Sequence, residues 1–171
     1  MRDERSIIRR LRRELAVLDL DGPTSMADLC ARFGQRRGRP IKLLPFSLDV
    51  PGPFGMWIGA RNFDYIVYQA ETTAVHQQHI IAHEFGHMFA GHRTDGNNDD
   101  IWQQLMPDIS AETIRKFLRR TNYETAQERE AETVATVLLE RAAVAELVAE
   151  PARSPDARRM QRFLEGSRGW L

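Results

Sequence analysis

Five consecutive residues, His83-Glu84-Phe85-Gly86-His87, constrain this chain more than any others. With its five His and thirteen Glu among 171 residues, a His-Glu-x-x-His is expected by chance only about 0.01 times. The surroundings read as one helix. Thr72 or Thr73 caps it, Ile80, Ile81, Phe85, Met88 and Phe89 give an apolar side, and Gly91 stops it. Residues i and i+4 of a helix share a face about 6 Å apart, so both imidazoles can reach one metal ion. Glu84, rotated by about 100°, stands beside that ion and can take a proton from an attacking water. Zinc, one per chain, is the natural choice, because it takes nitrogen and oxygen donors and tolerates an open position.

A catalytic zinc site needs a third protein ligand. Metzincins place a glycine three residues and a histidine six residues after the second His, but here Ala90 and Arg93 stand there. His92 lies about 140° round the helical wheel from His87 and reads as a surface residue past the helix end. The ligand must then come from a later helix. Glu124, Glu128, Ala131, Ala135, Leu138, Ala142 and Ala145 recur at intervals of four and three, a stripe that faces the core. A carboxylate on such a stripe is costly unless it meets a cation. Glu128 leads directly into the small apolar part of the stripe and is assigned as the ligand, with Glu132 and Glu124 as alternatives. Glu132, one turn on, could instead hold a ligating histidine by its second nitrogen. Glu130 points the opposite way and reads as solvated.

Along the chain, Ile7, Ile8, Leu11, Leu15 and Leu18 predict an amphipathic helix over residues 4–19, and Thr24 or Ser25 caps a second through Gln35. Residues 41–44 read as a short strand, and the three prolines of 45–55 as a loop. Residues 56–61 and 65–69 flank the turn residues Asn62-Phe63-Asp64 as a hairpin. After the metal-binding helix come a polar loop (94–100), helices over 108–120 and 124–149, and a last helix over 155–165. The expected fold is α+β, helix-dominated, with a small sheet beside the His-Glu-x-x-His helix. It forms a single domain, 1–171, with basic N-terminal helices (1–42), a core (55–140) and a C-terminal helix and tail (154–171).

Charge balances in sum, with 24 Lys and Arg against 24 Asp and Glu, but not in place. Residues 1–42 hold eleven basic against six acidic residues, and residues 95–150 hold six against twelve. The first two helices lack a recognition helix after them, because residues 34–40 contain two glycines and a proline; direct nucleic-acid binding is not expected. One cysteine, Cys30, excludes an internal disulfide framework and reads as a small core residue. No stretch of 18 apolar residues offers a membrane span, and the expected compartment is the cytoplasm. Asp95-Gly-Asn-Asn-Asp-Asp fails as an EF-hand, since its sixth position is Asp100 and its twelfth Met106.

Over about residues 55–140 the chain resembles the ImmA/IrrE family of zinc metallo-endopeptidases, gluzincin-like enzymes. The residues that carry the likeness are Ile-Ile-Ala-His-Glu-Phe-Gly-His at 80–87 and Glu-Arg-Glu-Ala-Glu-Thr-Val-Ala-Thr-Val-Leu-Leu at 128–139. Glu128, Glu130, Ala131 and Ala135 fit the second motif, whereas Glu132 stands where Asn or Asp is usual and Val134 where Phe is usual. The resemblance implies a compact zincin fold, zinc on His83, His87 and Glu128, and Glu84 as general base. It also implies a substrate, a helix-turn-helix (XRE-type) repressor or antitoxin encoded nearby, cleaved to switch on stress or mobile-element genes. The alternative is a zincin-like interaction module, or a toxin–antitoxin component, that binds such a regulator without efficient proteolysis. An edge strand of the hairpin would pair with the extended substrate, residues 65–69 being favoured over 56–61. Tyr123, His79 and His76 are candidates for stabilising the oxyanion, with His79 alternatively packing or bonding behind a ligand.

Overall fold

A computed structural model describes residues 4–18, 25–48, 54–59, 62–92 and 123–149, with side chains as far as 143 in the last segment. The expected loop over 94–100, the helix over 108–120 and the C-terminal helix and tail lie outside the described residues. Two amphipathic helices come first. In α1 (Glu4–Val17) Ile7, Leu11 and Leu15 are buried while Arg9, Arg12 and Arg13 stay exposed. Ser25 caps α2 (Met26–Arg36) by accepting from the Asp28 N–H at 3.1 Å, which satisfies one of the helix's orphan donors.

Three strands follow: β1 (Ile41–Phe46), β2 (Gly55–Gly59) and β3 (Asp64–Gln69). They form a mixed sheet in the order β1-β3-β2, with β1 parallel to β3 and β2 antiparallel to it. β1 runs two residues further than its sequence predicts, through Pro45. An edge strand tolerates a missing N–H where a central strand does not. The antiparallel pair is the expected hairpin. The favoured edge strand is not: residues 65–69 lie in the middle of the sheet, and among the described residues β2 is the free edge on that side. The parallel pairing of β1 makes the difference, a long-range contact that hairpin signals do not carry.

Thr73 caps α3 (Ala74–Ala90), and Gly91, at φ +74°, ends it. The Gly91 and His92 N–H groups return to the Met88 and His87 carbonyls at 3.2 and 3.0 Å, the Schellman pattern of a left-handed stop. α4 (Thr125–Ala149) packs along α3. Their approach is set by Gly86, where a Cβ would come within 2.6 Å of the Ala131 carbonyl oxygen. Apolar side chains of α1, α2, α3 and α4 meet one face of the sheet, with Ile66, Phe85, Phe89, Val134 and Ala135 at the centre. Leu48, Met56, Ile58 and Val67 form a smaller cluster, so Ile66 and Val67 divide between two cores as strand alternation requires. Cys30 is buried in the larger core, and burial pushes its thiol up to about 12, which removes it from nucleophilic chemistry. No described helix is long and apolar enough to cross a membrane.

Candidate metal centre

The i, i+4 spacing on α3 brings His83 and His87 together, with their Nε2 atoms 3.0 Å apart. α4 adds the third donor. The Glu128 carboxylate lies 3.1 Å from His83 Nε2 and 3.7 Å from His87 Nε2. Metal bonds of 2.0–2.1 Å in tetrahedral array place donor atoms about 3.3 Å apart, and the three observed edges bracket that value. Two neutral imidazoles and one carboxylate suit zinc. Among the described residues this is the sole group of three or more His, Cys, Asp and Glu able to hold an ion. Glu124 does not join it. It is exposed at the start of α4, where the Gln127 side chain accepts from its backbone N–H as in a capping box.

Each histidine is also held at its other nitrogen. His83 Nδ1 lies 3.2 Å from Glu132, whose same oxygen is 3.4 Å from His79 Nε2. His87 Nδ1 lies 3.0 Å from His92 Nδ1, and His92 Nε2 lies 3.2 Å from Glu130. The sequence reading misplaced both members of this second arm. His92 is 6% exposed rather than a surface residue, and Glu130 is largely buried against it rather than solvated. A helical wheel loses meaning past a left-handed residue: Gly91 turns the chain back and folds the His92 ring over His87. Schellman geometry itself holds the signal, because the residue after the left-handed glycine packs on the fourth residue before that glycine, here His87.

Burial dominates the electrostatics. It drives the His87 imidazole down to about 3, helped by the neighbouring His83 and His92, so His87 is neutral as a metal ligand must be. Burial also pushes the Glu84 carboxyl up to about 8, against the opposing Trp57 backbone N–H and with a small addition from Glu128. One Glu84 oxygen, Oε2, is buried without a hydrogen-bond partner. A cation at the three-donor point would favour the ionised form.

β2 runs directly beside this carboxylate. A Cβ on Gly55 would lie 2.5 Å from Ile80 Cγ2 and 3.0 Å from Glu84, so the backbone passes where no side chain fits. Gln69 N–H donates to the Phe54 carbonyl at 2.8 Å. Antiparallel alternation then turns the backbone groups of Gly55, Trp57 and Gly59 away from β3. Trp57 N–H accordingly reaches Glu84. A cavity of about 370 Å³ opens between β2, α3 and α4, lined by Gly55, Glu84, His83, His87, Tyr123 and Glu128 among others.

The three oxyanion candidates all border this cavity but differ in what engages them. His76 Nδ1 is 2.9 Å from the Thr72 hydroxyl, and His79 is taken by Glu132. Tyr123 stacks on His87 with ring centroids 3.6 Å apart, and its hydroxyl is buried without a partner. Burial and the nearby Glu84 and Glu128 raise that hydroxyl's pKa, which keeps it a proton donor. Compared with known proteins, the chain matches no family model, no curated protein and no solved structure.

Proposed function

We propose that this chain is a zinc-dependent endopeptidase of gluzincin-like architecture. One observation carries the reading: three donors spaced for a tetrahedral ion stand beside a buried carboxylate with an unpartnered oxygen, in a cavity that opens along β2, an edge strand among the described residues. His83, His87 and Glu128 would hold zinc, which when bound polarises a peptide carbonyl and acidifies a water. The outward backbone groups of β2 other than the Trp57 N–H pair with an extended substrate and direct its scissile carbonyl at the donor triangle. Glu84 accepts the proton of the attacking water at Oε2 while its other oxygen is held by Trp57 N–H. It then delivers that proton to the amine nitrogen as the C–N bond breaks. Tyr123 donates a hydrogen bond to the carbonyl oxygen as negative charge grows there, the role for which His79 and His76 are already engaged. His87, kept neutral by burial, holds its place without competing for the proton.

The likeness to ImmA/IrrE enzymes supplies the substrate class, a helix-turn-helix repressor or antitoxin in the cytoplasm. The test pairs wild type with Glu84→Gln. Zinc per chain is measured by elemental analysis, and cleavage is read by mass spectrometry on unstructured peptides and on the nearest-encoded helix-turn-helix protein. About one zinc in both proteins, with cleavage by wild type alone, is the expected result. Zinc without cleavage of any substrate would replace the peptidase with an interaction module. No zinc in wild type would refute the centre itself.

A further inference from the structure

We propose that His92 and Glu130 are positioning residues, a buried relay that grips the back of His87 and sets how tightly the centre holds its metal. The inference rests on the zinc reading above and concerns residues that the donor triangle does not use. His87 is fully buried and His92 nearly so, with 3.0 Å between their Nδ1 atoms and 3.2 Å from His92 Nε2 to the Glu130 carboxylate.

Metal ligation through His87 Nε2 leaves that ring one arrangement, a proton on Nδ1. Two nitrogens 3.0 Å apart share one proton, so His87 Nδ1–H donates and His92 Nδ1 accepts. His92 must then carry its own proton on Nε2, where Glu130 accepts it. Each link fixes the tautomer of the next, ending in a carboxylate that makes His87 a stronger donor to the ion. The arm behind His83 is built differently: Glu132 is 49% exposed on its side chain and shared with His79. Water can replace Glu132, whereas the relay behind His87 lies in the interior, where a missing partner stays missing. The chain reversal at Gly91 makes the relay possible, because it brings His92 within reach of both His87 on α3 and Glu130 on α4.

The test measures zinc affinity by chelator competition on the full chain, for wild type, His92→Phe, His92→Gln, Glu130→Gln and Glu132→Gln. Metal-free thermal unfolding scores the fold separately, and the cobalt(II) absorption spectrum reports ligand geometry. Phe keeps the ring's bulk but removes the acceptor; Gln restores one. The expected result is weakening of about tenfold or more for His92→Phe, with partial recovery in His92→Gln, a smaller loss in Glu130→Gln and the least in Glu132→Gln. An altered cobalt spectrum with unchanged metal-free unfolding would accompany it. Zinc binding by His92→Phe and Glu130→Gln within about threefold of wild type would overturn the relay while leaving the zinc centre standing. If His92→Phe does not fold, Glu130→Gln alone is judged by the same threshold. Failure of wild type to bind zinc would instead sink the zinc reading itself.

Discussion

Two buried carboxylates sit at opposite ends of one tryptophan and have opposite fates. Asp64, at the start of β3, is 1% exposed and saturated. Arg37 donates to one oxygen, and Arg39 at 3.0 Å and the Trp57 indole N–H at 3.1 Å donate to the other. Glu84 is 6% exposed, accepts from the Trp57 backbone N–H, and keeps its second oxygen empty-handed. Asp64 ties the turn after α2 to the sheet and has no spare capacity for chemistry. Glu84 is costly to bury as it stands, and that cost is recovered when a cation or a transferable proton arrives. Incomplete satisfaction, rather than burial, separates the group proposed to react from the structural one.

The comparison can be broken most decisively at Glu84. Glu84→Gln should lower turnover of any cleaved peptide by about 10³-fold, within the span usual for a lost general base, while zinc content stays at wild-type level. In the metal-free protein at pH 7 the same change should leave stability equal or higher, because it removes a desolvated ionisable group; a clear loss of stability in denaturant titration would contradict that. Asp64→Ala should do the reverse. Stability should drop by about 3 kcal/mol, the low end for breaking a buried ion pair, since both arginine side chains are only partly buried. Zinc affinity of the folded fraction should be nearly unchanged.

A smaller effect probes the helix contact that brings the third donor in. Gly86→Ala forces a methyl group against the Ala131 backbone, so α4 must move away from α3. The expected cost is about 2 kcal/mol of stability, together with weaker zinc binding as Glu128 withdraws from the histidines. Retained affinity would mean that Glu128 follows by side-chain rotation alone.

Smallest of all is the pH dependence of the metal-free protein. The Glu84 carboxyl is raised from 4.5 to about 8, so between those values the folded state holds the extra proton and stability falls as pH rises. The His87 imidazole is lowered from 6.5 to about 3, so between those values the unfolded state holds the extra proton and stability rises with pH. Their sum should climb from about pH 3 to 4.5, run nearly level to 6.5 and decline towards 8. Glu84→Gln should abolish the decline while keeping the climb. A decline of equal size in the variant would assign it to other groups.

Much of the molecule is legible in its local signals. The caps at Ser25 and Thr73, the stop at Gly91, the apolar periodicity of α1 and α3, and the strands of the hairpin all follow from residues a few positions apart. The two histidines follow too, because helical spacing alone puts them on one face. Glu128 is legible as a carboxylate on an apolar stripe, although spacing does not separate it from Glu124 and Glu132.

The remainder depends on contacts between distant segments. Which strand is the free edge depends on β1 pairing in parallel with β3, a choice made by packing rather than by turn chemistry. Glu84's missing partner depends on β2 passing within reach of α3. His92 and Glu130 meet only because a left-handed glycine reverses the chain against a helix about forty residues away. Sequence alone determines the caps, the described helices, the hairpin and the two histidines on one face, since these rest on local propensity and period. Tertiary structure alone decides which buried polar groups are satisfied and which are left without a partner, since hydrogen-bond satisfaction is a property of the assembled interior.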